Sequence, residues 1–416
     1  MLDNLPMKSV FVRGRIKEKS ILNWVQALII LFYFSQYILD WPLLKLSRIK
    51  GQFNFQDFVT IFTAADCFKT IGLQIYVPDP TTQLFCYYPY GRTFIYIIDL
   101  FRIPAFLAPG IIIIVGFLIL NLTLKFLDTS TRVEKVIVFL FFASPPFWLA
   151  FERGNVDLLI CLLVLIAAYM ATTNRIIGSV ATLTLATLIK FYTFPLLLIV
   201  LWKNRKALSQ FLSILLILTT AYIIFFDIQA QNLQQPGSFA FGTPIVTFWI
   251  NAFSSNFNLP IEEVSIRLGH FIGLALLGVI TAAFLLKDAV ITNLFRPKSA
   301  SLIENCFFYL GTVYVSCFVL GMSYDYRLIF SALAGLFFMQ ATKNLGAYRW
   351  LLISIWALSV WLSAFSFGLS PKMHLLVQWI GNGFDFVTAG LIISLIIKQA
   401  DIRVHRNGKR WRILYD

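Results

Sequence analysis

Apolar runs of about twenty residues recur along almost the whole chain, and this recurrence constrains its fold more than any other feature. A helix of that length matches the ~30 Å hydrocarbon core of a membrane. Of the 416 residues, 59% are hydrophobic and only 13% are charged, whereas about a quarter of a soluble domain is charged. The sequence therefore predicts an all-α polytopic membrane bundle, a single transmembrane domain over 1–416, with no room for a soluble catalytic domain of ~100–200 residues.

About ten of these runs are predicted to cross the membrane as helices. They lie near residues 20–40, 105–125, 136–150, 155–172, 207–226, 269–286, 303–321, 326–342, 350–368 and 376–397. One further apolar segment, 176–202, is interrupted by Lys190 and Pro195 and has basic residues at both ends. We expect it to enter and leave on the same side, as a re-entrant hairpin. With this topology, both tails, 1–19 and 398–416, lie in the cytoplasm, and most of the Lys and Arg residues are on that side.

The formal net charge of +14 follows from 34 Lys plus Arg against 20 Asp plus Glu. In a membrane protein such an excess mainly reports orientation, so we expect membrane lipids, and not nucleic acid, around this chain. The three histidines are far apart and form no metal-ligand motif. Neither a metal nor another cofactor is expected.

The five cysteines divide into two groups by their surroundings. Three of them lie inside apolar runs, where a thiol behaves as a small hydrophobic side chain: Cys161, Cys306 and Cys317. Cys67 and Cys86 instead share one extramembrane loop, and the sequence leaves open whether they form a disulfide.

Two long loops, 41–104 and 227–268, are predicted on the outer face. The first contains a segment of helical periodicity whose apolar stripe is Phe55, Phe58, Phe62, Ala65 and Phe68. That pattern favours an amphipathic helix lying on the membrane surface. The second loop is polar and almost free of Lys and Arg; it either covers a site or is a plain connector.

Five short motifs follow one another between residues 55 and 330. They are D-F-V-T-I-F-T-A-A-D-C-F-K-T-I-G-L-Q-I-Y, Tyr88-Pro89, S-P-P-F-W-L-A-F-E-R-G-N-V-D-L-L-I, L-A-T-L-I-K-F-Y-T-F-P-L-L-L-I and Y-D-Y-R-L. These motifs and their order resemble those of glycosyltransferase family 87, a multispan family of the GT-C type that uses polyprenyl-phosphate sugars. Two places depart from the family pattern. Tyr90 stands where a second proline is common, and Asn155 and Asp157 stand where Gln and Asn are common.

The resemblance implies a GT-C-like enzyme that moves one hexose, with mannose as a candidate, from polyprenyl phosphate to an extracytoplasmic acceptor with inversion. The acceptor would be a glycolipid, a polysaccharide or a protein. The location would be a cell membrane, with the bacterial plasma membrane expected. Such a transfer needs a carboxylate to take the proton of the acceptor hydroxyl, and cations to offset charge on the departing phosphate.

Asp57 is the candidate general base, because it begins the helix of the first outer loop and matches the Asp of the family motif. An Asp in the first turn of a helix is also favoured by the helix dipole alone, whatever else it does. Asp66, on the same helix, is the second choice, and a solvated surface carboxylate is its simpler explanation.

Four polar residues mark the outer boundary between two predicted spans: Glu152, Arg153, Asn155 and Asp157. They form either a short exposed turn with an internal ion pair or part of a substrate-binding site. Asp157 lies within the apolar register, where a charge costs ~3 kcal/mol unless it faces a cavity. That cost favours a functional role.

Lys190 and Arg327 are the candidates for holding the lipid phosphate, Arg327 because a guanidinium can grip two phosphate oxygens at once. Snorkelling of Lys190 to the interface and an ion pair of Arg327 with Asp325 are the alternatives. Tyr88 is a candidate for stacking on a sugar, although anchoring at the membrane interface explains an aromatic residue more simply.

Two other classes of protein remain open. A transporter or flippase of a lipid-linked or small solute would also arrange charges around a cavity, but it needs them deep in the bilayer. The candidate residues instead fall at the predicted outer edge, which favours an enzyme. A catalytically inactive scaffold is the third possibility, and it predicts that substitutions of these residues have no effect.

Overall fold

The structure is a computed structural model, and it describes residues 56–71, 92–127, 131–203, 240–257, 265–286, 302–320, 323–342, 347–365 and 371–406. In these ranges the chain is helical apart from short connecting turns and one pairing of two-residue strands. The helices, numbered in chain order, are α1 Gln56–Ile71, α2 Arg92–Phe101, α3 Ala108–Phe126, α4 Arg132–Phe142, α5 Pro145–Glu152, α6 Asp157–Thr172, α7 Ile176–Ile189, α8 Phe194–Lys203, α9 Ile245–Phe257, α10 Ile266–Leu286, α11 Leu302–Leu320, α12 Ile329–Ala341, α13 Ala347–Phe365 and α14 Pro371–Arg406.

Four of the described helices are long and apolar enough to cross a membrane: α3, α10, α11 and the part of α14 from Leu376 to Lys398. The all-α prediction is confirmed for the described residues, and these helices are consistent with a multi-pass membrane protein. The full set of ten spans stays a prediction. Two of its members, 20–40 and 207–226, lie outside the described residues.

The predicted span 136–150 is a pair of helices, because α4 and α5 meet at an angle of 42°. Ser144 between them is extended, with φ −68° and ψ 150°, and Pro145 and Pro146 follow it. A proline disfavours helical backbone in the residue before it and has no N–H for the preceding turn. The bend therefore follows from the S-P-P sequence, and if the pair acts as one span it is the fifth candidate.

The segment 176–202 forms two short helices that contact each other, α7 and α8. Helix α7 ends where Lys190 adopts an extended conformation, with φ −146° and ψ 124°, before a short 3-10 turn over Phe191–Thr193. Helices of 14 and 10 residues span only about 21 and 15 Å, less than a ~30 Å membrane core. These lengths suit a re-entrant hairpin, whose position in a membrane stays a prediction.

Helix α1 forms at the residues where a surface helix was predicted. Its apolar stripe does not face outward, since Phe58, Phe62 and Ala65 are buried against α2 and α3. Phe55 and the side chain of Phe68 lie outside the described residues. The sequence therefore predicted the helix and its apolar face, and the structure packs that face on protein.

The predicted loop 227–268 contains a helix, because its residues 245–257 form α9. This helix packs closely on α10 at Gly269, and Thr243, just before the helix, packs closely on α10 at Gly273. A Cβ on Gly273 would lie 2.2 Å from the carbonyl oxygen of Thr243, and one on Gly269 would lie 1.9 Å from Thr247 Oγ1. Small residues spaced by four on one helix allow this kind of close approach. Residues 240–257 are thus part of the packed structure.

The described helices have polar contacts at two opposite ends. At one end, Arg349 at the start of α13 donates to Glu134 Oε1 at 2.8 Å and to the Met339 carbonyl, and Asn305 donates to Thr172 Oγ1 at 2.9 Å. The other end, called the site end below, contains the start of α6, the end of α7 and the segment between α11 and α12. Because α6 and α11 run antiparallel, both of these ends are fixed by the same helix pair.

Candidate functional site

A tight turn between α5 and α6 gathers three of the predicted residues, Arg153, Asn155 and Asp157. Gly154 in this turn has φ 59°, a left-handed conformation that glycine adopts without a side-chain penalty. The Asn155 N–H then donates to the Ala150 carbonyl at 2.8 Å, which closes the end of α5. The glycine therefore reverses the chain within a few residues, so that the polar side chains on both sides of it lie together at the site end.

Asp57, in the first turn of α1, is bound to this turn by four hydrogen bonds. Arg153 donates to its Oδ1 from Nε at 3.1 Å and from Nη2 at 2.7 Å. Asn155 Nδ2 donates to its Oδ2 at 2.8 Å. The Asp57 N–H donates to the Arg153 carbonyl at 2.9 Å. The start of α1 is thus fixed to the α5–α6 turn through both its backbone and its carboxylate.

Asp157, the first residue of α6, binds the residues at the break between α7 and α8. Lys190 Nζ donates to Asp157 Oδ1 at 2.6 Å, and the Tyr192 hydroxyl donates to the same oxygen. Lys190 therefore points into the protein, so the snorkelling alternative is wrong for this side chain. The extended backbone at Lys190 is what directs its side chain to the start of α6.

Arg327 completes this group from the segment between α11 and α12. Its Nε lies 3.5 Å from Asp157 Oδ2, and its guanidinium carbon lies 5.5 Å from the centroid of the Tyr192 ring. Lys190 Nζ lies 5.9 Å from the same centroid. Both cations are within the range of a cation–π contact, so Tyr192 interacts with each of them. In the described residues, Arg327 is thus paired with Asp157, whereas the side chain of Asp325 is not described.

A short strand pairing places Arg327. Strand β1, Ala240–Phe241, pairs antiparallel with β2, Ser323–Tyr324, and the 3-10 turn Asp325–Leu328 follows β2 directly. The Thr243 N–H also donates to the Phe318 carbonyl at the end of α11, at 2.9 Å. Residues 240–243 therefore hold the chain on both sides of α11's end and fix the turn that carries Arg327.

Asn155 joins the two groups, because its Oδ1 accepts the Asp157 N–H at 2.9 Å while its Nδ2 donates to Asp57. The structure thus brings together six of the nine residues that the sequence singled out: Asp57, Arg153, Asn155, Asp157, Lys190 and Arg327. Glu152 is half-buried at the last position of α5. Tyr88 lies outside the described residues, and the second-choice base Asp66 is exposed.

The exposure of the side chains differs across the network. The side chains of Asp157 and Lys190 are 0% and 4% exposed, whereas those of Asp57, Arg327 and Arg153 are 11%, 18% and 24% exposed. A buried charge is tolerated when it is paired and hydrogen-bonded, as these are. We call the partly exposed side chains of Asp57, Arg153 and Arg327 the rim, and the buried side chains of Asp157 and Lys190 the floor.

The chemistry available at this site is that of a carboxylate beside an excess of positive charge. Three cationic side chains and two carboxylates form the described network, a formal excess of one positive charge. A carboxylate has about four lone-pair positions, and three of those on Asp57 are occupied by Arg153 and Asn155. Among the described contacts, Asp57 Oδ2 therefore keeps capacity for one further hydrogen bond.

Tyr192 was not among the residues that the sequence singled out. Its position two residues after a lysine that interrupts an apolar run was the available signal, because residues near a helix break point into the same local space.

The described residues bring no three His, Cys, Asp or Glu side chains together in a way that suits a metal ion. The expectation of metal-independent chemistry stays a prediction.

The cysteines differ in their bonding state. Cys67 on α1 is disulfide-bonded, whereas Cys161, Cys306 and Cys317 are buried free thiols. Cys86 lies outside the described residues. Disulfides persist mainly in oxidising compartments, so the bonded state of Cys67 bears on the side of the membrane that α1 faces.

Comparisons with known proteins give no assignment. No protein-family model matches this chain, and neither the curated proteins nor the solved structures include a match to it. The similarity to glycosyltransferase family 87 therefore rests on the five sequence motifs alone and stays a prediction.

Proposed function

We propose that this protein is an integral membrane hexosyltransferase that moves one hexose from a polyprenyl-phosphate donor to the hydroxyl of an extracytoplasmic acceptor. One observation carries the proposal. A chain of hydrogen bonds runs from Asp57 through Asn155 to Asp157 and Lys190, and an ion pair joins Arg327 to Asp157, so that a candidate base and candidate phosphate-binding groups share one site. No cofactor is needed, because the donor itself carries the activated sugar.

In the proposed reaction Asp57 is the general base. The acceptor oxygen attacks the anomeric carbon, and its proton passes to Asp57 Oδ2. The bond between that carbon and the phosphate oxygen breaks, its electron pair stays on the oxygen, and polyprenyl phosphate leaves with one more negative charge. Attack opposite the leaving group inverts the anomeric carbon. Arg153 and Asn155 hold the carboxylate in place for this step.

Arg327 and Lys190 are proposed to stabilise the departing phosphate, in different ways. Arg327 is partly exposed at the rim, so its guanidinium can contact phosphate oxygens directly. Lys190 is buried in the floor, and we assign it a contribution through its charge. Charge stabilisation in a site that excludes water is usually a large part of catalysis, which makes both residues important for rate.

The bonded state of Cys67 supports an extracytoplasmic site. Cys67 lies on α1, the helix that begins with Asp57. A structural disulfide would place this helix on the oxidising side of a cell membrane, and the bacterial plasma membrane fits the chain's composition and basic tails. Nucleotide sugars are absent there, so a lipid-linked donor is the consistent sugar source.

The decisive experiment is a donor panel. Purified protein is incubated with polyprenyl phosphates of several hexoses, mannose among them, and with glycolipid, polysaccharide or peptide acceptors. Release of polyprenyl phosphate from one donor, with transfer of its hexose, supports the proposal and identifies the sugar. Absence of release from every donor, under conditions where the protein is folded, counts against it.

A transporter or flippase is the second candidate, and one observation favours it. Three polar residues on one face of α14 are buried in the first half of a candidate span: Gln378, Asn382 and Asp385. Polar residues at membrane depth often mark a transport path. If Asp385→Asn abolishes uptake into proteoliposomes and Asp57→Asn does not, the transporter is correct and the transferase is wrong.

A further inference from the structure

Helix α2 and the turn that joins it to α3 leave several large apolar side chains exposed. Leu100, Phe101 and Phe106 are 78%, 69% and 79% exposed. The other face of α2 is buried through Ile95 and Ile98, and the helix packs on α1 and α7. With 10 residues, α2 reaches only about 15 Å and is too short to cross a membrane. An exposed apolar surface of this kind marks contact with a partner or a membrane.

The exposed surface of α2 continues onto α3, which is one of the candidate spans. The exposed apolar residues of α3 repeat at helical spacing along one side: Ile113, Ile114, Phe117 and Leu118. On a span, such a stripe faces lipid chains. Helix α3 begins at the site end, because Gly116 lies beside Phe151 near the end of α5 and Phe126 stacks on Tyr169 near the end of α6. Helix α2 therefore lies where the lipid-facing side of α3 reaches the membrane–water interface.

Arg102 ends α2 in a conformation that is unusual for its residue type. Its φ is 46°, and among the described residues it is the one with a positive φ that is neither glycine nor asparagine. Its N–H donates to the Asp99 carbonyl at 3.1 Å, and the N–H of Ile103 donates to the Ile98 carbonyl at 3.3 Å. These two bonds form a Schellman motif, in which glycine usually occupies the position of Arg102. The backbone thus carries a steric cost for having a side chain here.

The guanidinium of Arg102 has no role inside the described part of the protein. The side chain is exposed, and no hydrogen bond or ion pair with the described residues uses it. Phe101 precedes it and Phe106 follows it, and both are exposed apolar residues. A cation between apolar side chains matches the level of phospholipid head groups, where phosphate oxygens lie next to the acyl chains. A guanidinium can bind two such oxygens at once.

We propose that Leu100, Phe101, Arg102 and Phe106, called the α2 surface, dock on the lipid bilayer at the site end, with Arg102 bound to the phosphate of an anionic phospholipid. In phosphatidylcholine the choline cation offsets the phosphate charge, whereas in phosphatidylglycerol it does not, so the second lipid should be preferred. Because α1 packs on α2, this contact also sets the level of α1, and of Asp57 at its start, relative to the membrane surface. The inference does not depend on the proposed function.

The experiment places a fluorophore on the α2 surface. Leu100→Cys is labelled with an NBD maleimide in a background where Cys161, Cys306 and Cys317 are replaced by alanine, and the background without Leu100→Cys is the blank. The full-length protein is held in phosphatidylcholine nanodiscs, which leave both faces accessible. We expect quenching by lipids with brominated chains and little quenching by iodide in the water. A label at Asp66→Cys, an exposed position on α1, is the reference for the aqueous phase.

The role of the charge is tested with brominated lipids of either head group, added as a small fraction to the same nanodiscs. Brominated phosphatidylglycerol should reach half-maximal quenching of the Leu100→Cys label at about fivefold lower content than brominated phosphatidylcholine, the preference expected for one arginine at a membrane surface. Arg102→Gln should remove this preference. Arg102→Lys should keep most of it, because the positive charge remains.

Two substitutions at Arg102 separate the charge from the backbone strain. In a neutral detergent without anionic lipid, Arg102→Gly should melt at the temperature of the wild type or up to about 2 °C higher, because glycine has no Cβ to strain at φ 46°. Arg102→Gln keeps the Cβ and should melt as the wild type does. Both variants should lose the preference for phosphatidylglycerol. If Arg102→Gly melts at a lower temperature, the arginine serves the fold and the inference is wrong.

Three further results would overturn the inference. Quenching of the Leu100→Cys label by iodide alone would mean that the α2 surface faces water, and quenching by neither agent would mean that protein covers it, such as a second copy of the chain. Equal quenching by the two brominated lipids in the presence of Arg102 would remove the phosphate contact. Loss of the preference when glycerol phosphate is added at the lipid's concentration would mean that the site takes a soluble phosphate. Phe106→Cys is a second labelling position if Leu100→Cys does not fold.

Discussion

Arg153 donates two hydrogen bonds to a single carboxylate oxygen of Asp57, from Nε at 3.1 Å and from Nη2 at 2.7 Å. The second oxygen, Oδ2, accepts only from Asn155 within the described network. The two oxygens therefore have different tasks. Oδ1 is bound twice by Arg153 of the α5–α6 turn, and in the proposed reaction Oδ2 is the oxygen that receives the proton of the acceptor hydroxyl.

Asp57→Asn should lower the rate of hexose transfer by about 10²- to 10⁴-fold, because an amide cannot act as a general base. Its yield in membranes should stay near that of the wild type, since the amide oxygen can still accept from Arg153. The rate is measured as polyprenyl phosphate released by purified protein. Asp66→Asn removes the same charge from an exposed position on the same helix and should leave the rate unchanged. A fully active Asp57→Asn would remove this residue from the mechanism.

Arg327→Lys should raise the KM for the donor by about tenfold, because an ammonium keeps the charge but lacks the planar pair of donors that grips a phosphate. Arg327→Gln should raise it further, since the charge is lost as well. Initial rates at varied donor concentration separate KM from kcat. If both variants keep the wild-type KM, the guanidinium does not contact the donor, and its role is limited to contacts within the protein, such as the ion pair with Asp157.

The sequence predicted the long helices well and the shorter ones less well. Helices α3 and α11 begin and end within a few residues of the predicted spans 105–125 and 303–321, because a run of apolar residues long enough to cross a membrane has few alternatives. Helix α9 was missed, since its 13 residues are too few to span. The bend between α4 and α5 was also missed, although S-P-P was visible, because hydropathy does not register a change of direction.

The candidate site shows a different limit of sequence reasoning. Asp57 was singled out as the start of a helix and by the family motif, and Arg153 as a polar residue at a span boundary. They are far apart in the chain, and nothing in a single sequence pairs them. Tyr192 was overlooked because an aromatic residue in an apolar segment is usually core. Its contacts with Lys190, Arg327 and Asp157 depend on the helix break at Lys190, which is a feature of the fold.

Cys67 should be protected from alkylation until a reductant is added, because it is disulfide-bonded. The measurement uses intact cells and a membrane-impermeant maleimide, in a background where Cys161, Cys306 and Cys317 are replaced by alanine. If an impermeant reductant is enough to make Cys67 react with the maleimide in intact cells, α1 lies outside the cytoplasm. Labelling that also requires permeabilised cells would place α1, and Asp57 with it, on the cytoplasmic side and would contradict the proposed function.

Gly273→Ala should destabilise the protein and also weaken donor binding. The added Cβ would lie 2.2 Å from the backbone carbonyl of Thr243, which cannot move without shifting the strand pairing that places Arg327. Overpacking of this kind costs about 1–3 kcal/mol, so both a lower melting temperature and a higher donor KM are expected.

Gly278→Ala is the matched control, because it lies on the same helix and a Cβ there would have nothing within 4 Å. Replacing an exposed helical glycine should stabilise α10 by up to about 1 kcal/mol, with an unchanged KM. A Gly273→Ala variant with normal melting would contradict the close approach of Thr243. A Gly273→Ala variant with a lowered melting temperature and a normal KM would show that Arg327 keeps its position when this contact is disturbed. In that case α11 and the ion pair between Arg327 and Asp157 suffice to hold Arg327 in place.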